Sequence, residues 1–147
     1  MAAVVVAIKK VHVSAIVPSY QSEHAAGMDL HARLDEPRVI VSMERVIIPT
    51  GFAIELPDGY EAQIRARSGL SIKHGICLAN GVGTIDADFR GEIGVLLINL
   101  GSEPFTVEPG MRIAQMIISR YERIDWETVD HLQESARGTK GYGSTGH

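Results

Sequence analysis

The chain has 147 residues, a formal net charge of −4 and a single cysteine. That length fits one domain, and the negative charge argues against the broad basic surface that attracts nucleic acid. Cys77 has no partner for an internal disulfide and the histidines show no metal-ligand spacing, so we expect a reducing, cytoplasmic setting. The apolar start, MAAVVVAIKK, is too short to span a bilayer and predicts a first strand.

Short apolar runs rich in β-branched residues, separated by Gly, Pro and Asp turns, predict an almost entirely β chain. In chain order, the predicted strands are Val4–Ile8, Val11–Val17, Val39–Val41, Val46–Ile48, Phe52–Leu56, Tyr60–Arg67, Ile93–Leu100 and Ile113–Ser119. One short helix is predicted over Gly69–His74, capped by Ser68 and ended by Gly75 in the left-handed conformation. This all-β pattern with little helix predicts a jelly-roll-like β-barrel.

Two predicted strands carry more specific patterns. In Tyr60–Arg67 apolar and polar side chains alternate, so one face should be buried and the other exposed. Ile93–Ile98 has no polar side chain on either face, which indicates a strand buried on both sides and, in a small domain, a subunit interface. The single tryptophan, Trp126, is expected to pack against the folded domain.

Two segments carry groups suited to a phosphorylated ligand. Arg67 ends a strand, and Ser68 and Gly69 begin the next turn, so a cation and free N–H groups form an anion site. A surface arginine beside an ordinary cap explains the same residues. The segment GTIDADFRG at 83–91 places two carboxylates, an aromatic ring and a cation together. Asp86 there can orient water and accept its proton, or it can simply form a turn.

The C-terminal segment is rich in Gly, Ser, Thr and Lys, which cannot pack a core. Its glycines match a dinucleotide fingerprint by letter, but the helix that this motif opens cannot follow, and the P-loop spacing also fails. Arg137, Lys140 and Tyr142 could wrap a polyphosphate and stack on a base, while a disordered terminus explains the composition equally. The predicted division is a β-barrel domain over 1–134 and a flexible arm over 135–147 that closes over the site.

The order of five motifs is more specific than any one of them. AGMDL at 26–30, RSGLSIKHGI at 67–76, GTIDADFRGE at 83–92, GMRIAQMI at 110–117 and RGTKGYGSTG at 137–146 resemble the five ordered motifs of the trimeric dUTPase family. The resemblance implies a β jelly-roll homotrimer whose active sites are each shared by three subunits. It also implies hydrolysis of dUTP to dUMP and pyrophosphate, which limits uracil in DNA and supplies dUMP for dTMP synthesis.

The resemblance implies a role for each matched residue. Asp86 would orient and deprotonate the water that attacks the α-phosphorus, and Phe89 would pack under the deoxyribose and exclude a 2′-hydroxyl. Asp29 would support the site from behind. Magnesium would bridge the phosphates and waters rather than protein side chains. The implied phosphate contacts are Arg67, Ser68, Gly69, Gln115 and Arg137. The implied uracil contacts are Asn80, Gly83, Thr84, Ile85 and Gly94. Over the base, the resemblance implies closure by Tyr142 and Gly143.

Two positions depart from the family pattern, and three alternatives stay open. Phe89 replaces a usual tyrosine and Tyr142 a usual phenylalanine, which puts only the strictness of ribose exclusion in question. A dCTP deaminase shares the fold, but alignment on Phe89 and Gly91 places Leu96 where that family has a glutamate. A non-enzymatic trimer could bind dUTP as a signal. A plain jelly-roll module would leave the five motifs unexplained.

Overall fold

The structure, a computed structural model, describes residues 3–141 and is almost entirely β. One helix, α1, lies between the seventh and eighth strands of the described chain. The elements are β1 Ala7–Lys10, β2 Ser19–Tyr20, β3 Met28–His31, β4 Arg38–Ile40, β5 Arg45–Pro49, β6 Phe52–Glu55, β7 Tyr60–Ala66, α1 Ser68–His74, β8 Ile76–Leu78, β9 Gly83–Ile85, β10 Gly94–Asn99, β11 Phe105–Val107 and β12 Arg112–Arg120.

The strands pair in antiparallel sheets around a single core. The largest sheet has the order β2-β3-β12-β7-β9, and a second has the order β5-β10-β8. Two further pairs, β1 with β6 and β4 with β11, complete the described sheets. Fully buried side chains from both larger sheets, such as Leu30, Ile48 and Leu97, meet in one hydrophobic cluster. Burial of these apolar side chains is the main contribution to stability.

The alternation predicted for the seventh strand is confirmed. Ala62 and Ile64 on β7 are buried, whereas Arg65 between Ile64 and Ala66 is exposed. Because successive side chains of a strand point to opposite faces, the apolar set faces the core and the polar set lies on the outer face. That outer face carries the candidate site described below.

Within a single chain the tenth strand is buried on one face, and burial of its other face in a subunit interface stays a prediction. Val95 and Leu97 on β10 lie in the core, but Leu96 and Ile98 on the opposite face are only half-buried. Ile47, which lies opposite Leu96 on β5, is 70% exposed. The chain therefore presents an apolar, partly open outer face on this sheet.

The N-terminal strand boundaries differ from the prediction. The first strand is Ala7–Lys10, because its register is set by pairing with β6. The predicted strand Val11–Val17 is wrong: the N–H groups of Val11 and His12 both donate to the Gly51 carbonyl and the chain turns there. The strands β2, β3, β8, β9 and β11 fall outside the predicted set, since two to four residues are too few to show an alternating pattern.

The last described part of the chain is exposed and meets the barrel at its start, where the Tyr121 N–H donates to the Gly59 carbonyl at 3.1 Å. β12 ends at Arg120, and all described residues from 121 to 141 are exposed. Trp126, expected to pack, is 88% exposed within the chain. Over the residues described, no helix has the length and apolar character needed to cross a membrane.

Candidate functional site

The junction between β7 and α1 exposes backbone donors beside Arg67. Arg67 itself occupies the cap position, so the prediction that Ser68 caps the helix is wrong: Ser68 is already helical and no side chain caps this end. The Arg67 carbonyl accepts hydrogen bonds from the N–H groups of Leu70 and Ser71, both at 3.1 Å. Within residues 3–141, the N–H groups of Ser68 and Gly69 have no protein acceptor. Gly75 ends the helix in the left-handed conformation with φ 70°, as predicted.

A half-buried carboxylate holds two arginines at this junction. The Asp29 side chain on β3 is 13% exposed, and its two oxygens lie 3.5 Å from Arg67 Nε and 3.2 Å from Arg112 Nη1. Arg67 Nη1 also donates to the Arg112 carbonyl at 3.0 Å. One negative and two positive charges leave the cluster with a net positive charge, which suits an anionic ligand. We call Asp29, Arg67 and Arg112 the arginine cluster.

Gln115, on the central strand β12 of the largest sheet, forms a hydrogen bond at the same junction. It lies opposite Asp29 on β3 and Arg65 on β7. Its side-chain Nε2 donates to the Ala66 carbonyl at 3.0 Å, directly before Arg67. A Cβ added at Gly27 would lie 2.5 Å from Gln115 Oε1, so glycine is needed there for the amide to keep this position. Gln115 therefore orients the backbone that leads into the anion site.

His31 is a member of this surface that the sequence did not single out. It lies opposite Arg112 in the pairing of β3 with β12 and shares the outer face with Asp29. Burial lowers the pKa of His31; Asp29 opposes this, and Arg112 and Arg67 lower the pKa further. The spacing of two residues between Asp29 and His31 was the signal that could have placed both on one face.

Most of the residues predicted to read a base lie in the segment 76–85, which contains β8, a turn and β9. We call this segment the hairpin, although β8 pairs with β10 and β9 pairs with β7. β9 pairs with β7 through Gly83 opposite Ile64 and Ile85 opposite Ala62. A Cβ added at Gly83 would lie 3.1 Å from Ile64 Cβ and 3.3 Å from Asn80 Nδ2, so the backbones approach closely. Thr84 between them is exposed. The Ala79 N–H donates to the Leu96 carbonyl at 2.9 Å, which ties the hairpin to β10.

Gly94 belongs to the same region although it lies in the other sheet. The observed pairing of Leu97 with Leu78, extended along the antiparallel strands, brings Gly94 beside the hairpin tip. A Cβ at Gly94 would lie 2.7 Å from Ile47 Cγ2, which explains the absence of a side chain. Asn80, Gly83, Thr84 and Ile85 thus lie along one segment with Gly94 across from its turn, and their role in reading a base stays a prediction.

The turn after β9 presents Asp86 to solvent. The Phe89 N–H donates to the Asp86 carbonyl at 3.2 Å, and Arg90 Nη1 donates to the Ala87 carbonyl at 2.6 Å, so the turn is fixed from within. Across the described chain, no hydrogen bond or ion pair engages the Asp86 carboxylate. The Phe89 ring covers Gly91: a Cβ there would lie 2.6 Å from Phe89 Cζ. This arrangement leaves a free carboxylate beside an aromatic platform.

Asp86 lines an open groove of 470 Å³. Its polar walls come from the turn itself, from the β6–β7 turn and from the segment after β12. They are Asp58, Asp86, Asp88, Arg90, Tyr121 and Arg123. The groove is large enough for part of a small polar ligand.

A single chain does not bring Asp86 and Arg67 together. Ile85 lies opposite Ala62 on β7, which puts Asp86 near the start of β7, whereas Arg67 follows its last residue. Six residues of strand correspond to about 20 Å. That separation exceeds the length of a triphosphate chain, so the two groups cannot act on the same phosphates within one protomer.

The arm residues are only partly described. Arg137 is exposed, and its Nε donates to the Lys140 carbonyl at 3.0 Å within a local turn. It makes no hydrogen bond or ion pair with the barrel among the described residues. Tyr142 and Gly143, predicted to close over the base, lie outside the described residues.

The fold and the site define an antiparallel β protein with a net positive side-chain cluster at one end of β7 and, among the described residues, an unpaired carboxylate on the turn after β9. Residues 13–146 match a family model described as dUTPase. The chain therefore belongs to the dUTPase family, and the jelly-roll-like β prediction is confirmed.

Proteins of similar sequence and structure match this chain over nearly its whole length. A deoxyuridine 5'-triphosphate nucleotidohydrolase of Rickettsia felis is 60% identical over 142 residues, 96% of each chain. One from Rickettsia conorii is 59% identical over the same length. The Staphylococcus bacteriophage 80alpha dUTPase with dUpNHpp superposes with a TM-score of 0.88 at 25% identity, covering 97% of this chain and 99% of that one. The phage phi11 dUTPase, at 21% identity and a TM-score of 0.78, has the same fold and is described with a structural Mg(II) ion.

Proposed function

We propose that this chain is a dUTP diphosphatase that converts dUTP to dUMP and pyrophosphate. This activity removes a precursor of uracil in DNA and supplies dUMP for dTMP synthesis. The observation that carries the proposal is the free Asp86 carboxylate on a fixed turn, beside the Phe89 ring and the base-reading hairpin. Family membership supports it, because the Rickettsia relatives are named for dUTP hydrolysis.

The site is proposed to be shared between three copies of the chain. One copy would contribute the hairpin and Asp86, and a second would contribute Arg67 and the exposed N–H groups. The separation of about 20 Å along β7 supports this, because each half lacks what the other provides. A third copy would contribute the arm, 135–147, with Arg137 on the γ-phosphate and Tyr142 and Gly143 over the base.

The partly open outer face of the β5-β10-β8 sheet supports a homotrimer. Ile47, Leu96 and Ile98 expose a contiguous apolar surface in the single chain. Apolar surface of this kind is stabilised by burial against another subunit. The segment from Glu122 to Gly141 is exposed in the single chain, which also favours contact with a neighbour.

The chemistry follows from the charges and donors at the two half-sites. Asp86 would orient a water molecule and take its proton as the water oxygen bonds to the α-phosphorus. The bond from that phosphorus to the oxygen bridging to the β-phosphate breaks, and pyrophosphate leaves. Arg67 and the free N–H groups of Ser68 and Gly69 neutralise the phosphate oxygens. Asp29 and Gln115 keep Arg67 and its backbone in place.

Magnesium is the proposed cofactor, held through the substrate rather than by a protein cage. No group of three or more His, Cys, Asp or Glu side chains within 3–141 is arranged to hold a metal ion. Phosphate oxygens and water are ligands that magnesium prefers, so the substrate itself can supply its coordination. When bound, magnesium would neutralise charge on the three phosphates.

Substrate selection is proposed to rest on backbone contacts and one ring. Asn80, Gly83, Thr84, Ile85 and Gly94 would read uracil through a hairpin that is fixed on two strands. A fixed backbone rejects the extra methyl group of thymine more strictly than a deformable pocket can. Phe89 would pack under the deoxyribose and leave no space for a 2′-hydroxyl.

The direct experiment measures pyrophosphate released from each deoxynucleoside triphosphate in the presence of magnesium. We expect release from dUTP alone, and a loss of at least about a hundredfold in Asp86→Asn. Glu36→Gln, an exposed carboxylate outside the groove, is the matched control and should stay within about threefold of wild type. Wild-type protein that binds dUTP but releases no pyrophosphate would refute the enzyme and favour a non-enzymatic dUTP sensor.

Two further measurements address the arm and the deaminase alternative. Deleting residues 137–147 should abolish most turnover and leave the oligomer intact; full activity would refute the closing arm. Ammonia release from dCTP would overturn the hydrolase in favour of a deaminase. Leu96, half-buried on β10 opposite Ile47, argues against that reaction because it supplies no acid. The cytoplasmic setting stays a prediction based on the single cysteine.

A further inference from the structure

Among the residues that the structure describes, the Asp86 carboxylate makes no hydrogen bond or ion pair, so the backbone alone sets its position. On one side that backbone is fixed, because Ile85 on β9 pairs with Ala62 on β7. On the other side it enters a four-residue turn, closed by the Phe89 N–H, which donates to the Asp86 carbonyl at 3.2 Å. A single hydrogen bond at the long end of the normal range constrains this turn only weakly.

The guanidinium of Arg90 constrains the same turn through its carbonyl groups. Arg90 Nη1 donates to the Ala87 carbonyl at 2.6 Å and to the Phe89 carbonyl at 3.2 Å. The Ala87 carbonyl belongs to the central peptide of the turn, which faces opposite ways in turns of type I and type II. Type II needs a positive φ at Asp88, and Met43 is the only non-glycine residue within 3–141 with a positive φ. The charge-assisted bond from Arg90 therefore holds the central peptide in the orientation observed.

Arg90 also links the turn to a second sheet. Its Nη2 lies 3.6 Å from Glu55 Oε1, at the end of β6, where Glu55 pairs with Ala7 of β1. The two side chains are 52% and 64% exposed, so this ion pair by itself is weak. The bonds to the carbonyl groups are therefore the stronger constraint. Because Arg90 lines the groove that contains Asp86, a direct bond to the substrate is the competing role.

We propose that Arg90 is a positioning residue for Asp86, because its bonds to the Ala87 and Phe89 carbonyls fix the turn that carries the carboxylate. The inference rests on the proposed function, since it takes Asp86 as the group that orients and deprotonates the attacking water. A displacement of about 1 Å at a catalytic group can slow a reaction about a hundredfold. Loss of the Arg90 donors should therefore lower kcat and leave the affinity for substrate unchanged.

The experiment compares wild type with Arg90→Met, which keeps an unbranched side chain and removes its donors. We expect kcat for pyrophosphate release from dUTP to fall by between about tenfold and about a hundredfold. The Kd of the non-hydrolysable analogue dUpNHpp should stay within about twofold of wild type. Arg38→Met is the matched control, because Arg38 is 48% exposed and pairs with Glu44 at 2.6 Å outside the groove. Its kcat should stay within about twofold of wild type.

A second readout does not depend on turnover. In ligand-free wild type, the ¹⁵N order parameters of the Ala87 and Asp88 amides should be about 0.85, and in Arg90→Met they should fall below about 0.6. Arg90→Lys keeps the charge but replaces the planar guanidinium with a single donor group. It should lie between wild type and Arg90→Met in both kcat and order parameter. If Arg90→Met fails to assemble, Arg90→Lys takes its place in the comparison.

The outcomes separate positioning from direct contact and from the proposed function. Unchanged order parameters or an unchanged kcat in Arg90→Met would overturn the positioning role. A dUpNHpp affinity that falls as much as kcat/KM would overturn it in favour of a direct bond from Arg90 to the phosphates. Wild type that releases no pyrophosphate from dUTP would refute the proposed function instead, and the order parameters would still decide whether Arg90 fixes the turn.

Discussion

Two inactive variants of this chain should restore activity when they share a trimer. Asp86→Asn removes the proposed base, and Arg67→Gln removes the phosphate cation, at opposite ends of β7. If each site takes these groups from different chains, some mixed sites contain both wild-type residues. Equal mixing gives one intact pairing among four combinations, so about one quarter of the sites should be active.

The assay is pyrophosphate release from dUTP after the two variants are unfolded and refolded together. Each variant alone should retain less than about one hundredth of wild-type turnover. Mixing Asp86→Asn with Asp86→Ala is the matched control and should restore nothing, because every site then lacks the carboxylate. The spacing of about 20 Å predicts this difference. A mixture of Asp86→Asn and Arg67→Gln as inactive as its parents, in trimers shown by mass to be mixed, would refute the shared site.

Three further predictions concern specificity, stability and pH. Phe89→Ala should raise UTP turnover relative to dUTP turnover by about tenfold, measured as the ratio of the two kcat/KM values. An unchanged ratio would show that Phe89 does not exclude the 2′-hydroxyl. Asn99 is fully buried, and its side chain makes hydrogen bonds at 2.9, 2.8 and 2.9 Å. Asn99→Ala should therefore lower the free energy of unfolding by about 3 kcal/mol, measured in urea titrations at fixed protomer concentration. A loss under about 1 kcal/mol would contradict this prediction. The folded-state pKa of His31 is lowered, so the folded protein binds fewer protons there than the unfolded chain, and stability should fall as the pH drops below about 6.5. His31→Asn should reduce that acid-dependent loss in thermal unfolding, and an unchanged loss would show that other groups cause it.

Local patterns were enough for the strands that carry strong alternation or long apolar runs. β7 and β12 lie within two residues of the predicted bounds, and Gly75 ends α1 as its lack of a side chain suggests. The very short strands were missed because their pairing, not their composition, creates them. The predicted strand Val11–Val17 failed for the same reason: its backbone bonds to Gly51 rather than to a neighbouring strand.

The sequence by itself determined the chemical groups and their order along the chain: Asp29, Arg67, Asp86, Gln115 and Arg137 stand in five spaced motifs. Residue type and spacing are local properties, so they can be recognised before the fold is known. Only the tertiary structure decided which of these groups meet. Antiparallel pairing places Asp29 and Gln115 beside Arg67, and the same pairing carries Asp86 to the far end of β7. Strand register sets these distances, and register depends on contacts between residues far apart in the chain.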